Sequence, residues 1–232
     1  MKNNFNEKIL KEKDFNLFSA KLLYKTFKRL SKNKKNVYVA LSGGSTPLPI
    51  LNILKNYDIN WNYFNFFMVD ERNVPSTSSL SNYGNIEKVF FNHIKSSCYS
   101  MTNNNYSIDE CAVNYEKLIC SKIPVGENNI PVFDLILLGM GTDGHTASLF
   151  PKTKGLLEKT KFIIINSVPQ LNTKRITLTY PIILNANKIM IFAKGNFKSK
   201  ILNEIKMGGG DIYPIAKIIN SNVDITCITG VN

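Results

Sequence analysis

The stretch Val132-Phe133-Asp134-Leu135-Ile136-Leu137-Leu138 is apolar at every position but Asp134 and breaks at Gly139-Met140-Gly141. A strand with one wet face alternates apolar and polar residues, whereas a strand covered by helices on both faces need not. The run therefore predicts a central strand of a parallel sheet. Val37-Tyr38-Val39-Ala40-Leu41 has the same character, and Phe64, Phe66, Phe67, Met68 and Val69 supply a third strand that ends in Asp70-Glu71-Arg72.

Between these runs, apolar residues recur at helical spacing. Phe15, Phe18, Leu22, Leu23, Phe27 and Leu30 predict a helix from Asp14 that ends in the polar stretch 31–36. Pro47 suits a first helical position, where its missing N–H costs nothing, and Leu48, Leu51 and Leu54 continue that helix. Further helices are predicted over 81–94, 108–120 and about 197–206, the last stopped by Gly208-Gly209-Gly210. Strands are predicted at 162–165, 176–179, 189–193 and 225–228, and 121–131 reads as a surface loop. Strands alternating with helices imply an α/β fold, a three-layer sandwich with a mostly parallel, Rossmann-like sheet and right-handed crossovers. No repeat or linker divides the chain, so residues 1–232 are expected to form a single domain.

Composition excludes several functions. No apolar run of 18 residues is present, so no membrane helix is expected. Met1 to Lys8 lacks the apolar stretch of a secretory signal. Cys98, Cys111, Cys120 and Cys227 form no CxxC pair, and His93 and His145 are the only histidines, so no metal site is expected. Free thiols fit a reducing cytoplasm. The net charge is +12, but the lysines are spread along the chain. That argues for a solvated face, or a field drawing in small anions, rather than a nucleic-acid surface.

Chemistry is sought directly after strands, where the loops of a parallel sheet form a cleft. Ser42-Gly43-Gly44-Ser45-Thr46 allows backbone N–H groups to approach an anion near a helix N-terminus. A tight turn with Ser45 or Thr46 as N-cap explains the same residues. The loop matches neither Gly-x-x-x-x-Gly-Lys nor Gly-x-Gly-x-x-Gly, which argues against nucleotide sites. Asp70-Glu71-Arg72 reads as an ordinary surface ion pair or as an oxyanion clamp, for which the arginine fork is suited. Gly139-Met140-Gly141-Thr142-Asp143-Gly144-His145 is the sharpest signal. His145 is a candidate general base and Asp143 a residue that orients it or fixes the loop. Ser148 reads as a capping or surface residue at a helix start, and His93 as a helical residue without a role. No Gly-x-Ser-x-Gly is present, which leaves direct attack by water.

Five stretches taken in order, Leu41 to Pro47, Asp70 to Pro75, Ser81 to Gly84, Leu138 to Pro151 and Arg175 to Thr179, resemble the 6-phosphogluconolactonases related to glucosamine-6-phosphate deaminase. The resemblance spans nearly the whole chain. The deaminases typically continue Asp-Gly-His with Ile-Ala-Phe-Asn-Glu-Pro, whereas His145 is followed here by Thr146-Ala147-Ser148-Leu149-Phe150-Pro151. The catalytic glutamate of the deaminase is thus missing. The C-terminus departs from the family in lacking a tryptophan, the only one being Trp61.

The resemblance implies a cytoplasmic carboxylic ester hydrolase that opens 6-phospho-D-glucono-1,5-lactone in the pentose phosphate pathway. It implies no cofactor, no metal, no nucleic-acid or membrane partner, and a monomer or weak homodimer. His145, Asp143 and Arg72 are then the catalytic residues. Ser42, Gly43, Gly44, Ser45, Thr46, Asp70, Arg72, Arg175 and Lys198 are expected to bind substrate, the two arginines and Lys198 on its anionic groups.

Overall fold

The structure is a computed structural model that describes residues 4–126 and 128–232. Residues 1–3 of the stretch read against a secretory signal, and residue 127 of the expected 121–131 loop, lie outside the described residues. β1 (Phe5–Lys11) leads into α1 (Glu12–Asn33), then β2 (Val37–Leu41), α2 (Pro47–Leu54), β3 (Phe64–Met68) and the short β4 (Asp70–Arg72). α3 (Asn82–Val89), β5 (Ser97–Tyr99), α4 (Ile108–Lys122) and β6 (Leu135–Gly139) follow. The remaining elements are β7 (Ile163–Val168), β8 (Thr173–Leu178), α5 (Tyr180–Ile183), β9 (Lys188–Lys194), α6 (Asn196–Lys206), α7 (Pro214–Ile219) and β10 (Asp224–Val231).

A seven-stranded sheet runs in the order β1-β10-β9-β6-β2-β3-β5, and each of its pairings is parallel. Successive side chains point to opposite faces, yet Leu135, Ile136, Leu137 and Leu138 of β6 are all buried, as are Phe66, Phe67 and Met68 of β3. Both faces are therefore covered, which gives the three layers expected. Among the described residues, all of the buried apolar side chains except Phe150 and Val168 form one cluster. Phe27 of α1 lies 4.9 Å from Phe64 and 6.1 Å from Phe66, ring centre to ring centre, and Trp61 and Phe90 close the group.

Two strands and a second sheet differ from the expectation. β1 was hidden because Glu7, Lys8 and Lys11 interrupt its apolar residues. An edge strand needs such charges to discourage pairing with another chain. β5 spans three residues, too few to show a period. The strands expected at 162–165 and 176–179 do form, but not in the large sheet. They are β7 and β8 of a three-stranded antiparallel sheet, ordered β4-β8-β7. Val69 is the point of departure: its N–H donates to Leu41 O of the large sheet at 3.0 Å, and its carbonyl accepts from Leu178 N of the small one at 2.9 Å.

Helix boundaries shift in two places. The helix expected over 81–94 ends at Val89 and is followed by a single 3-10 turn, Phe91–His93. That break turns Phe91 onto the aromatic cluster, 5.7 Å from Phe66. No helix begins at Ser148. Its segment is a buried turn in which Leu149 N donates to Thr146 O at 2.9 Å, with Ala147 in the left-handed region at φ 51°.

Candidate active site

From β2 the sheet grows one way through β3 to β5, and from β6 it grows the other way through β9 to β10. Loops that leave adjacent strands in opposite directions open a crevice at their carboxyl ends. The loop after β2 and the loop after β6 face each other there, tied by Ser42 N donating to Leu137 O at 3.0 Å. β3 and β9 flank this pair and deliver Asp70 and Lys198. The resulting cavity, about 210 Å³, brings together Ser42 to Thr46, Asp70, Arg72, His145, Arg175 and Lys198. Of the residues singled out in the sequence, Asp143 does not line the cavity but stands behind His145.

His145 Nδ1 and Asp143 Oδ1 lie 2.5 Å apart, and the same oxygen accepts from His145 N at 3.1 Å. A carboxylate accepts only, so Nδ1 carries the hydrogen and Nε2 is left with its lone pair free. Burial raises the Asp143 carboxyl, but the hydrogen bonds and charge of His145 outweigh it and hold the group below its ordinary value. The imidazole stacks on Phe150, ring centres 4.0 Å apart. Glycine at position 141 is required by this packing: a Cβ there would sit 2.2 Å from the His145 ring. Gly144, at φ +72°, leaves no room for a Cβ against Tyr213.

The Asp70-Glu71-Arg72 triplet is not a surface ion pair. Asp70 and Glu71 are buried, and neither joins a salt bridge among the described residues. Glu71 instead accepts from Arg72 N at 2.7 Å, Asn82 N at 2.8 Å, Tyr83 N at 2.7 Å and Ser81 Oγ at 3.0 Å. Burial outweighs the three backbone donors and leaves its carboxyl above the ordinary value, with the Asp70 charge acting in the same sense as burial. Four donors on two oxygens leave no acceptor for a carboxylic proton, so the geometry fits the ionised form. Asn82, which sequence reasoning gave no role, lines the cavity. Its amide donates to Asp70 O at 2.9 Å and lies so close to Gly43 that a Cβ there would be 2.2 Å from it. Its place in the stretch Ser81 to Gly84 was the available signal.

Arg72 and Arg175 are direct cross-strand partners in β4 and β8. Like charges placed so repel one another unless an anion or carboxylate lies near. Burial first, and then the Arg72 charge, push the Arg175 guanidinium down, while Asp70 and Glu71 act against both. The Nε atoms of both arginines are buried without a partner among the described residues, as is Ser42 Oγ. Lys198 is also held below its ordinary value by burial. Thr46 stands at the N-cap of α2 but makes no side-chain cap bond, and Pro47 occupies the first turn. The capping explanation of the glycine loop therefore fails for Thr46. His93 lies away from the cleft, its Nε2 3.1 Å from Lys88 O. Among the described residues, no cluster of His, Cys, Asp and Glu suits a metal ion, and no helix is long and apolar enough to cross a membrane.

Fold and cleft together define an α/β protein whose switch-point crevice gathers His145, Arg72, Arg175 and Lys198 around one cavity. Residues 11–227 match the family model for glucosamine-6-phosphate isomerases/6-phosphogluconolactonase, and the chain belongs to that family. The 6-phosphogluconolactonase of Chlamydia pneumoniae is 36% identical over 228 residues, which are 93% of this chain and 85% of that protein. That of Haemophilus influenzae is 35% identical, covering 80% of this chain and 81% of the relative. The crystal structure of 6-phosphogluconolactonase from Thermotoga maritima superposes with a TM-score of 0.85 at 26% identity, covering 98% of this chain and all of that one (100%).

Proposed function

We propose that this chain hydrolyses 6-phospho-D-glucono-1,5-lactone to 6-phospho-D-gluconate in the oxidative pentose phosphate pathway. The observation that carries the reading is one cavity holding a histidine with its Nε2 free and an arginine pair without carboxylate partners. Water beside Nε2 gives its proton to His145 as its oxygen attacks the lactone carbonyl. The proton on Nδ1 stays with Asp143 as a hydrogen bond, which fixes the tautomer and steadies the imidazolium. Arg72 faces the oxygen that becomes negative, and Asp70 and Asn82 hold that wall of the cleft. Collapse breaks the ring C–O bond, and the imidazolium returns its proton to the leaving alkoxide. Carboxylic acid and hydroxyl are the products, and the acid then loses its proton to solvent; no electrons are transferred.

The phosphate is the handle. Ser42 to Thr46 offer backbone N–H groups at the start of α2, and Arg175 and Lys198 supply charge, so that binding energy far from C1 orients C1 for attack. The chain acts as one catalytic domain in the cytoplasm, monomeric or weakly dimeric, without cofactor, metal, nucleic acid or membrane.

The test is acid release from freshly generated 6-phosphogluconolactone beside a no-enzyme control. Release above the control supports the reading, and release at the control rate removes it. The deaminase reading is disfavoured because the position five residues after His145, where the deaminase motif has its glutamate, is Phe150, whose ring stacks on His145. Ammonia production from glucosamine 6-phosphate tests it directly.

A further inference from the structure

Ser148 is fully buried, and each of its polar groups is taken by a different strand of the small sheet. Its hydroxyl donates to Asp70 Oδ2 on β4 at 2.6 Å. Its N–H donates to Thr177 Oγ1 on β8 at 3.1 Å. Its carbonyl accepts from Asn166 Nδ2 on β7 at 2.8 Å. The last of these side chains is itself fully used, since Asn166 also donates to Thr153 Oγ1 at 2.9 Å and accepts from Gly155 N at 3.2 Å.

The two sides joined by these bonds carry different parts of the chemistry. β4 and β8 bear Arg72 and Arg175, whereas the turn that holds Ser148 follows directly from His145. Between His145 and Ser148 the chain passes through Ala147 at φ 51°. A non-glycine residue held there needs surrounding structure to keep it in place. Phe150 extends the same coupling, because its ring stacks on His145 and the Arg175 guanidinium lies 5.2 Å from its centre.

We infer that Ser148 is a positioning residue, which sets the distance between the His145 imidazole and the Arg72–Arg175 pair without touching substrate. This rests on the lactonase reading of the cleft. Any buried hydroxyl needs an acceptor, but this one takes a carboxylate that lines the cavity and so ties the His145 turn to β4; a nucleophilic serine would not spend its hydroxyl on a buried carboxylate while its backbone is gripped on both sides. Misplacing a base by a fraction of the distance to its target costs rate more than affinity, because the handle contacts of Ser42 to Thr46 and Lys198 lie outside this turn.

The experiment compares wild type with Ser148→Ala and with the shape-preserving Thr177→Val, which removes the acceptor of the Ser148 N–H together with the local Thr177 Oγ1 donation to Leu178 O. Steady-state kinetics on fresh phosphorylated lactone are expected to show kcat about tenfold to a hundredfold lower in Ser148→Ala, with KM within about threefold. Thr177→Val should change in the same sense by a smaller factor. A Ser148→Ala kcat within about twofold of wild type, or a loss carried by KM alone, overturns the inference. The two histidines allow a second readout that needs no substrate. In Ser148→Ala the imidazole NMR resonances of His145 should shift or broaden while those of exposed His93 stay in place, and unchanged His145 resonances count against the role. Wild type at the background rate would sink the lactonase reading, and the ring resonances would still decide the role of Ser148 in placing His145.

Discussion

The two sheets of this protein are held together by opposite means. In the large sheet, β2, β3 and β6 bury consecutive apolar side chains on both faces, and their backbones pair in parallel ladders. In the small sheet, buried positions include Asp70, Glu71, Asn166 and Thr177, each kept by named hydrogen bonds. Apolar burial tolerates some slack, whereas a buried polar group left without its partner costs its whole desolvation. The small sheet is therefore the more exacting structure, and it is the one that carries Arg72 and Arg175. The large sheet supplies the floor of the cleft, and the small sheet together with the glycine loops lines it.

The sharpest break between stability and activity is expected where the two meet, at His145. His145→Ala should lower kcat by roughly 10²–10⁴ with unchanged urea stability, once spontaneous lactone hydrolysis is subtracted. A variant with wild-type kcat would end its role as base. Asp143 gives the pH side of the same test. Its folded value is depressed, so its contribution is present above the unfolded value and lost as pH falls through the folded one. With the unfolded value near 3.9, the Asp143 contact is intact throughout about pH 5–8, and a loss of rate within that window does not come from its protonation. Asp143→Asn should therefore lower kcat at every pH in that window rather than displace an acidic limb.

The next effect belongs to the large sheet. Phe66→Ala removes a fully buried ring from the aromatic cluster and should cost about 3–5 kcal/mol in urea unfolding, while the folded fraction keeps its kcat. Glu71→Gln probes the small sheet with almost no change of volume. An amide cannot accept from all four donors that converge on Glu71, so a loss of about 1–3 kcal/mol is expected. Unlike Phe66→Ala it should also raise KM for the phosphorylated lactone, because Arg72 and Asn82 are both placed by that carboxylate. Unfolding curves with paired kinetics on the two variants decide whether the sheets differ as described.

What was legible in the chain follows the same division. β2, β3 and β6 announce themselves by apolar runs, and the loops after them by glycines, so the location of the cleft could be read before any contact was known. The small sheet could not be read so. β7 and β8 have apolar residues enough to be seen as strands, but their antiparallel pairing with three residues of β4 depends on Val69 sharing its two backbone bonds between sheets. Glu71, Ser148 and Asn82 look like polar surface residues until their partners, 10 to 78 positions away, are brought near. Local pattern carries information about periodic burial and turn chemistry, and it is silent on which distant donor meets which acceptor.

The smallest predicted effect concerns the helix that touches both sheets. Tyr115 of α4 accepts from Met68 N at 2.7 Å and donates to Met68 O at 3.2 Å, at the end of β3. At the next position of the same helix, Glu116 Oε1 accepts from Phe162 N at 2.6 Å and from Ile163 N at 3.2 Å, at the start of β7. α4 begins with a capping box, in which Ser107 Oγ accepts from Glu110 N while Glu110 accepts from Ser107 N. Ser107→Ala should cost about 1 kcal/mol, read as a lower urea midpoint. Since the cap lies away from the cleft and frays only the first turn, kcat and KM should stay at wild-type values. If they fell with stability, α4 would be setting the angle between the sheets, and the cleft would depend on the bridge between its walls as much as on the bonds within them.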